Sequence, residues 1–209
     1  MCLWIDQQIP KQMIEKYKIN TTPVLTKCIV GLDRDGVINT DLGTYVTSPD
    51  QFSPIPGSLS AIADLRRKGY QIAIITNQGG IEKGLMTEAD VDVIHAYMLK
   101  LLGEAGCSSI DGIYYSASSN KKDPYAKPNV GMFKKCESHN KLIKFNQGFY
   151  VGDKMSDLKA AIKIGARPVL VRTGYGTETE KELNKYTYKH IKEKTYIFDS
   201  LADFAAKLD

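Results

Sequence analysis

Two aspartates one residue apart, Asp33 and Asp35, follow an apolar run at residues 28–32 and precede a glycine. The run predicts a short buried strand, and open α/β sheets bind ligands where their strands end. If the strand continued, alternation would point both carboxylates to the same side. One carboxylate could then attack phosphorus while the other transfers a proton, beside a divalent cation. The competing interpretation is a simple turn, because Asp and Gly often end strands.

Polar side chains also lie at or beyond the ends of three later predicted strands. Thr76 ends the apolar segment 71–76, and the glycine-bearing loop after it offers amides and a hydroxyl to phosphate oxygens. Lys127 lies in the polar loop after the third predicted strand, and Asp153 and Asp157 follow the fourth. We therefore interpret these sites together, as groups gathered at strand ends.

The residue types suit a magnesium site. We expect Mg²⁺ to be held by Asp33, by a main-chain carbonyl at Asp35 and by Asp153, with Asp157 supporting the metal site from behind. An aspartate nucleophile needs this partial neutralisation of its charge before it can approach a phosphate.

The same residues suggest the steps of a phosphoryl transfer. Asp33 is the expected nucleophile, while Thr76, backbone amides and Lys127 are expected to hold the other phosphoryl oxygens. Asp35 would protonate the leaving alcohol and then activate water against the aspartyl-phosphate.

Strand-like and helix-like segments alternate along the chain. Strands are expected at 28–32, 71–76, 112–115, 149–151 and 168–171, with a sixth at 196–198. Helices are expected at 59–68, 87–105, 131–139 and 201–208, and another is expected to follow a Ser156 cap. The alternation predicts an α/β fold with a doubly wound, mostly parallel sheet and helices on both faces.

Length and composition fit an ordinary globular protein. The 209 residues are 43% hydrophobic and 25% charged, and the net charge of +4 suits an anionic substrate without indicating nucleic acid. We expect residues 1–26 to form an N-terminal extension with a short helix at 11–19, and residues 27–209 to form a single domain. No apolar run is long enough to span a membrane, and we expect a monomer.

Cysteine and histidine usage gives no sign of a zinc site. The four cysteines are scattered, which indicates reduced thiols in a cytoplasmic protein rather than a disulfide framework. The histidines lack metal-ligand spacing and are expected to be surface or helix residues; they are His95, His139 and His190.

In their order, the four sites resemble the motifs of the haloacid dehalogenase superfamily. Residues 33–37, Asp-Arg-Asp-Gly-Val, are similar to its first motif, and Thr76, Lys127 and residues 152–157 to the next three. Over residues 27–206 the chain more closely resembles the D-glycero-D-manno-heptose 1,7-bisphosphate phosphatases and the related histidinol phosphatases. This likeness is carried by residues 32–36, 76–78, 80–81, 84, 111–115, 127–128, 131–132, 151–154 and 170–174.

The resemblance implies a fold without a large cap domain and substrate contacts made by loops. The implied substrate-binding residues are Asp41, Gly43, Tyr45, Asn77, Gln78, Gly79 and Lys154.

Two departures from the family pattern bear on ligands. The loop that usually carries zinc-binding Cys and His has three serines between residues 116 and 119, so we expect no zinc. The arginine that usually precedes the lysine is Ala126, which leaves the exact sugar phosphate open. Lys121 or Lys122 could supply its charge, but ordinary solvation is the favoured interpretation.

We therefore predict a Mg²⁺-dependent phosphatase of a small sugar phosphate, D-glycero-D-manno-heptose 1,7-bisphosphate. Histidinol phosphate and a 3′-phosphorylated DNA end are the alternative substrates, although residues 172–174 favour the heptose branch. A non-catalytic binding protein is the alternative from another class. The presence of Asp33, Asp35, Lys127 and Asp153 argues against it.

Overall fold

The computed structural model describes residues 27–208, which form a six-stranded sheet surrounded by helices. The strands are β1 (Lys27–Leu32), β2 (Tyr70–Asn77), β3 (Gly112–Ser116), β4 (Phe149–Gly152), β5 (Arg167–Val171) and β6 (Tyr196–Phe198). The helices are α1 (Ser58–Arg67), α2 (Glu88–Glu104), α3 (Gly131–His139), α4 (Met155–Ile164), α5 (Gly176–Leu183), α6 (Lys189–Lys192) and α7 (Leu201–Lys207).

All neighbouring strands run parallel, in the order β3-β2-β1-β4-β5-β6. The chain builds the sheet outward from β1 to β3 and then returns to place β4 on the other side of β1. The strand order therefore reverses between β1 and β4, where Leu32 pairs with Val151. Such a reversal opens a crevice at the carboxyl ends of the two strands. The predicted doubly wound α/β fold is confirmed, including the sixth strand.

Side chains that alternate along strand β2 pack into two different hydrophobic clusters, one on each face of the sheet. On β2, Ile72 and Ile74 pack into a cluster with residues of α1, α2 and α7. Ala73 and Ile75 point to the opposite face, where α3 and α4 cover them. Because both faces are covered, β2 is almost wholly apolar, as expected for a central parallel strand.

One predicted helix start is wrong. Helix α4 begins at Met155, and its cap residue is Lys154 rather than Ser156. The Asp157 carboxylate accepts a hydrogen bond from the Lys154 amide at 2.9 Å, so the aspartate supplies the capping contact. Helices α5 and α6 were also not predicted; they lie in and near a lysine-rich stretch at residues 181–194.

Residues 1–26 lie outside the described part of the chain. The helix expected at 11–19 and the domain boundary at residue 26 therefore stay predictions. Between residues 27 and 208, no helix combines the length and apolar character that crossing a membrane requires.

Candidate active site

Strands β1 and β4 deliver two aspartates to the same point of the sheet. Asp33 follows β1 directly, and its amide donates to the carbonyl of Val151 on β4 at 2.9 Å. Asp153 follows β4, and both aspartates are buried. The crevice at the reversal of strand order is therefore lined by carboxylates from both halves of the sheet.

Asp33, Asp153 and Asp157 form a buried carboxylate cluster in which each offers an oxygen within 4.8 Å of the others. Burial, reinforced by the charge of Asp157, raises the pKa of Asp153 to about 8. Burial also raises the pKa of Asp33, although Lys127 acts in the opposite direction. A cation beside such a cluster would relieve both the desolvation and the mutual repulsion.

The donor set of this cluster fits a small, hard cation. Oδ1 of Asp153 is buried and accepts no hydrogen bond from residues 27–208, whereas Oδ2 accepts one from the Tyr175 amide at 2.8 Å. Gly36, at φ +87°, packs so closely that a Cβ there would collide with the Asp153 carboxylate. Oxygen ligands with one carboxylate oxygen left over match the preference of Mg²⁺. The Asp35 carboxylate is not part of this cluster, so only its main-chain carbonyl is left for the expected metal contact.

Lys127 is the positive charge at the centre of the site. Its Nζ lies 2.8 Å from Asp33 and 2.7 Å from Asp157, and it donates to the Tyr150 hydroxyl at 2.9 Å. Burial alone would lower the pKa of this ammonium, but the two carboxylates outweigh burial and raise it. Lys127 is therefore held charged against the carboxylate expected to act as nucleophile.

Asn77 positions Lys127. Its side-chain oxygen accepts from the Lys127 amide at 2.9 Å, and its Nδ2 donates to the Lys127 carbonyl at 3.2 Å. Asn77 borders the cleft, as the expected substrate role requires, but its side chain is used to fix the backbone of the lysine.

Asp35 is held by its neighbour Arg34. The Arg34 guanidinium is fully buried and donates to both oxygens of Asp35, at 3.1 Å from Nε and 2.7 Å from Nη2. Burial would raise the pKa of Asp35, but the Arg34 charge and hydrogen bonds from Arg34, Asn39 and Gln78 prevail and lower it. Asp35 lines the same cleft as Asp33.

Gln78 and Gly79 are not among the residues that line the cleft, and their expected contact with substrate stays a prediction. The buried Gln78 side chain accepts from Arg34 at 2.9 Å and donates to the Thr76 hydroxyl at 3.0 Å, which leaves it behind the cleft wall. Gly79 packs against Ser119, where a Cβ would clash. Thr76 itself does line the cleft.

The cleft has a volume of about 460 Å³, and its lining includes residues of the loop after β1 and residues at the start of α4. Asp41, Gly43 and Tyr45 lie along one wall, as the resemblance implies. Nζ of Lys154 forms an ion pair with Oδ2 of Asp41 at 2.8 Å and lies 4.6 Å from the centre of the Tyr175 ring. This cleft can admit a compact anionic ligand.

The two residues that depart from the family pattern have different surroundings. Ala126 is fully buried, so an arginine in its place would have to displace its neighbours. Lys121 lines the cleft, which the solvated interpretation did not foresee, whereas Lys122 lines only a neighbouring groove.

Sequence reasoning missed four residues that organise the site: Arg34, His95, Tyr150 and Tyr175. His95 lies in helix α2 but is buried, with Nε2 3.3 Å from Nη1 of Arg34. Burial and the Arg34 charge lower the pKa of His95 to about 4, so the neutral ring accepts from the guanidinium. The sequence did contain a signal for Arg34, because it is a charged residue between two motif aspartates. The roles of the other three residues depend on contacts between segments that are distant in sequence.

Comparison with known proteins agrees with this geometry. A family model described as polynucleotide kinase 3 phosphatase matches residues 31–198. The D-glycero-beta-D-manno-heptose-1,7-bisphosphate 7-phosphatase of Pseudomonas putida is 38% identical over 177 residues, covering 85% of this chain and 97% of that protein. The enzyme of the same name from Pseudomonas aeruginosa is 35% identical over 184 residues, covering 88% of this chain and 99% of that protein.

A solved structure shows the same likeness. The D,D-heptose 1.7-bisphosphate phosphatase from B. bronchiseptica, crystallised with magnesium and phosphate, superposes with a TM-score of 0.77 at 33% identity. The match covers 87% of this chain and 97% of that one. The chain described here therefore belongs to the polynucleotide kinase 3 phosphatase family and is a phosphatase of the haloacid dehalogenase superfamily.

Proposed function

We propose that this protein is a Mg²⁺-dependent phosphatase that hydrolyses D-glycero-D-manno-heptose 1,7-bisphosphate through an aspartyl-phosphate. The observation that carries the proposal is Asp33, a cleft-lining carboxylate paired with buried Lys127 and clustered with Asp153 and Asp157. The names of the similar proteins support the sugar phosphate, and the magnesium in the B. bronchiseptica structure supports the metal.

In the first step, an oxygen of Asp33 attacks phosphorus and the bond from phosphorus to the sugar oxygen breaks. Asp35 gives its proton to that oxygen, which leaves as an alcohol. Arg34 keeps the pKa of Asp35 low in the free cleft, and an incoming phosphoryl group adds negative charge that favours the protonated acid.

In the second step, Asp35 takes a proton from water, whose oxygen attacks the phosphorus of the aspartyl-phosphate. The bond between phosphorus and Asp33 breaks, inorganic phosphate leaves and the carboxylate is restored. Lys127 and the Thr76 hydroxyl neutralise and orient the phosphoryl oxygens in both steps. Mg²⁺ bound by Asp33, a main-chain carbonyl at Asp35 and Asp153 would supply Lewis-acid stabilisation of the phosphoryl charge.

Polynucleotide 3′-phosphatase is the second candidate function, favoured by the description of the matching family model. Histidinol phosphate remains a further alternative. We also infer that the enzyme acts as a monomer and in the cytoplasm, and the buried free thiols of Cys107 and Cys136 support the second inference.

Phosphate release from a panel of substrates tests the proposal. The panel holds both anomers of heptose 1,7-bisphosphate, histidinol phosphate and a 3′-phosphorylated oligonucleotide, each with and without Mg²⁺. We expect the highest kcat/KM with one heptose anomer and no turnover after chelation. A higher kcat/KM with the oligonucleotide would establish the second candidate instead.

A further inference from the structure

The cleft contains two lysines that have no carboxylate partner within the described structure. Four lysines line it, and two of them have carboxylate partners: Lys127 in the buried cluster and Lys154, which pairs with Asp41. Between residues 27 and 208, Lys83 and Lys121 have no carboxylate within ion-pair distance. Both are exposed to solvent, so their ammonium groups can receive an anion without a large desolvation cost.

The loops that carry these lysines are fastened to each other. The Glu82 amide donates to the Ala117 carbonyl at 3.1 Å, and the Ser118 hydroxyl donates to the Glu82 carboxylate at 2.7 Å. Lys83 lies 5.1 Å from the centre of the Tyr45 ring, on the cleft wall. These contacts keep the two loops side by side.

The backbone at Lys121 is also anchored near the centre of the site. Its carbonyl accepts from Asn129 Nδ2 at 2.8 Å, two residues after Lys127. Because the same loop segment carries the buried lysine, Lys121 is tied to the site that receives the reacting phosphoryl group. A loop anchored in this way loses less backbone freedom on binding than a free loop would.

We infer that Lys83 and Lys121 together bind a second anionic group of the substrate, a phosphoryl group remote from the ester that is hydrolysed. The inference rests on the proposed function and assigns residues to the recognition of a bisphosphate. A substrate with one phosphate would leave both ammonium groups without an anionic partner in the cleft, and Lys83 would keep only its contact with Tyr45. A second phosphate would pair with both lysines by charge-assisted hydrogen bonds.

Lys122 provides a matched control. It carries the same charge one residue away, but it lines the neighbouring groove and not the cleft, while Lys121 lies where the two meet. Loss of the Lys122 charge therefore changes the net charge of the loop as Lys121→Ala does, without removing a cleft residue.

The test compares a bisphosphate with the monophosphate that keeps the reacting ester. We expect Lys121→Ala and Lys83→Ala each to lower kcat/KM for heptose 1,7-bisphosphate about tenfold. For heptose 7-phosphate the loss should be at least about fivefold smaller, because the second group is missing. Lys122→Ala should change neither value by more than about twofold. Equal losses on both substrates, or no loss on the bisphosphate, would overturn the inference.

A second measurement separates this inference from the choice of substrate. Fructose 1,6-bisphosphate and fructose 6-phosphate are compared as competitive inhibitors of p-nitrophenyl phosphate hydrolysis. We expect the bisphosphate to bind several-fold more tightly to the wild-type enzyme, and the difference to vanish in the variant that combines Lys83→Ala and Lys121→Ala. If heptose bisphosphate is not hydrolysed, the proposed function fails while this comparison still decides the role of the lysines. A preference that survives in the double variant would refute that role.

Discussion

At the scale of single residues, Asp33 is the group on which the proposed chemistry depends most. It borders the cleft, its carboxylate contacts Lys127 at 2.8 Å, and it shares the carboxylate cluster that fits a cation. We predict that Asp33→Asn lowers kcat by several orders of magnitude, since an amide is a poor nucleophile and a poor Mg²⁺ ligand.

The measurement is phosphate release by purified enzyme whose circular dichroism matches the wild type. Asp50→Asn is a suitable control, because Asp50 is exposed in a 3₁₀ turn outside the cleft. Substantial turnover by folded Asp33→Asn enzyme would show that another group attacks phosphorus.

Lys127 is expected to stabilise the transition state rather than the bound substrate alone. Its ammonium already contacts Asp33 and Asp157. It can therefore stabilise negative charge on the nucleophile before attack and on the phosphoryl group during attack. Lys127→Ala should lower kcat and kcat/KM together, by about 10²-fold or more. A variant in which only KM rises would make Lys127 a ground-state binding residue. Steady-state kinetics with Mg²⁺ saturating distinguish the two outcomes.

Arg34 is predicted to orient the proton-transferring carboxylate. Its planar guanidinium contacts both oxygens of Asp35 and is itself fixed by Gln78 and His95, a geometry that a lysine cannot reproduce. Arg34→Lys should therefore reduce turnover of an alkyl phosphate, whose leaving oxygen needs a proton, more than turnover of p-nitrophenyl phosphate. A purely structural role for Arg34 would reduce both to the same extent.

At the scale of elements, glycines at and near helix ends allow a paired stability test. Gly165 ends α4 at φ +83°, where Ala would be strained and its Cβ would lie 3.1 Å from Asn146 Cβ. Gly103 lies within α2, is exposed, and has open space around an added Cβ. We predict that Gly165→Ala lowers the free energy of unfolding by about 1–2 kcal/mol, while Gly103→Ala raises it by about 0.5–1 kcal/mol.

Urea unfolding of the two variants provides the comparison, with unchanged kcat as a check that the cleft is intact. If Gly165→Ala proved as stable as the wild type, the positive φ of residue 165 would not strain an alanine at the end of α4.

Elements with a strong apolar signal were predicted well, and those without one were not. The central strands β1, β2 and β4 are buried on both faces, so their sequences are nearly continuous apolar runs. Helix α5 was missed because its buried residues are few, Gly176, Thr179 and Leu183, and give little apolar periodicity. The prediction that Ser156 caps α4 was wrong, because the carboxylate of Asp157, one residue later, accepts the hydrogen bond from the Lys154 amide.

The candidate site also contains residues whose role the sequence predicts and residues whose role it does not. Asp33, Asp153 and Lys127 were predictable because each follows a predicted strand or lies in a loop nearby. The roles of Gln78 and Asn77 were not, because their amide groups are directed by partners far away in sequence, Arg34 and Lys127. A sequence indicates which polar groups reach the sheet edge, but the folded packing decides which of them face the cleft.

At the scale of the whole molecule, the carboxylate cluster joins the two halves of the sheet. Asp33 belongs to the half that begins with β1, and Asp153 and Asp157 to the half that begins with β4. Without a cation, burial of these like charges opposes folding, and a cation bound only by the folded state adds stability by mass action.

The stability of the metal-free protein should therefore fall as pH rises from about pH 7 to pH 8, above the range in which the lowered pKa of His95 acts in the opposite direction. The pKa of Asp153 is raised from 3.8 to about 8 in the folded state, so between these values the folded protein retains a proton that the unfolded chain has lost. The free energy of unfolding contributed by Asp153 then falls as pH rises through this window. Saturating Mg²⁺ should remove the slope, because a bound cation favours the ionised carboxylate.

Urea unfolding with EDTA or with Mg²⁺, at several values between about pH 7 and pH 8, where His95 is almost wholly neutral in both states, measures this effect. We expect the stabilisation by Mg²⁺ to grow with pH because protons and cation compete for the same buried oxygens. Asp153→Asn, which cannot ionise, should flatten the pH dependence in EDTA and weaken the response to Mg²⁺. A metal-free protein that became more stable with rising pH, or a Mg²⁺ effect equal at both ends of the range, would mean that the cluster is not the cation site.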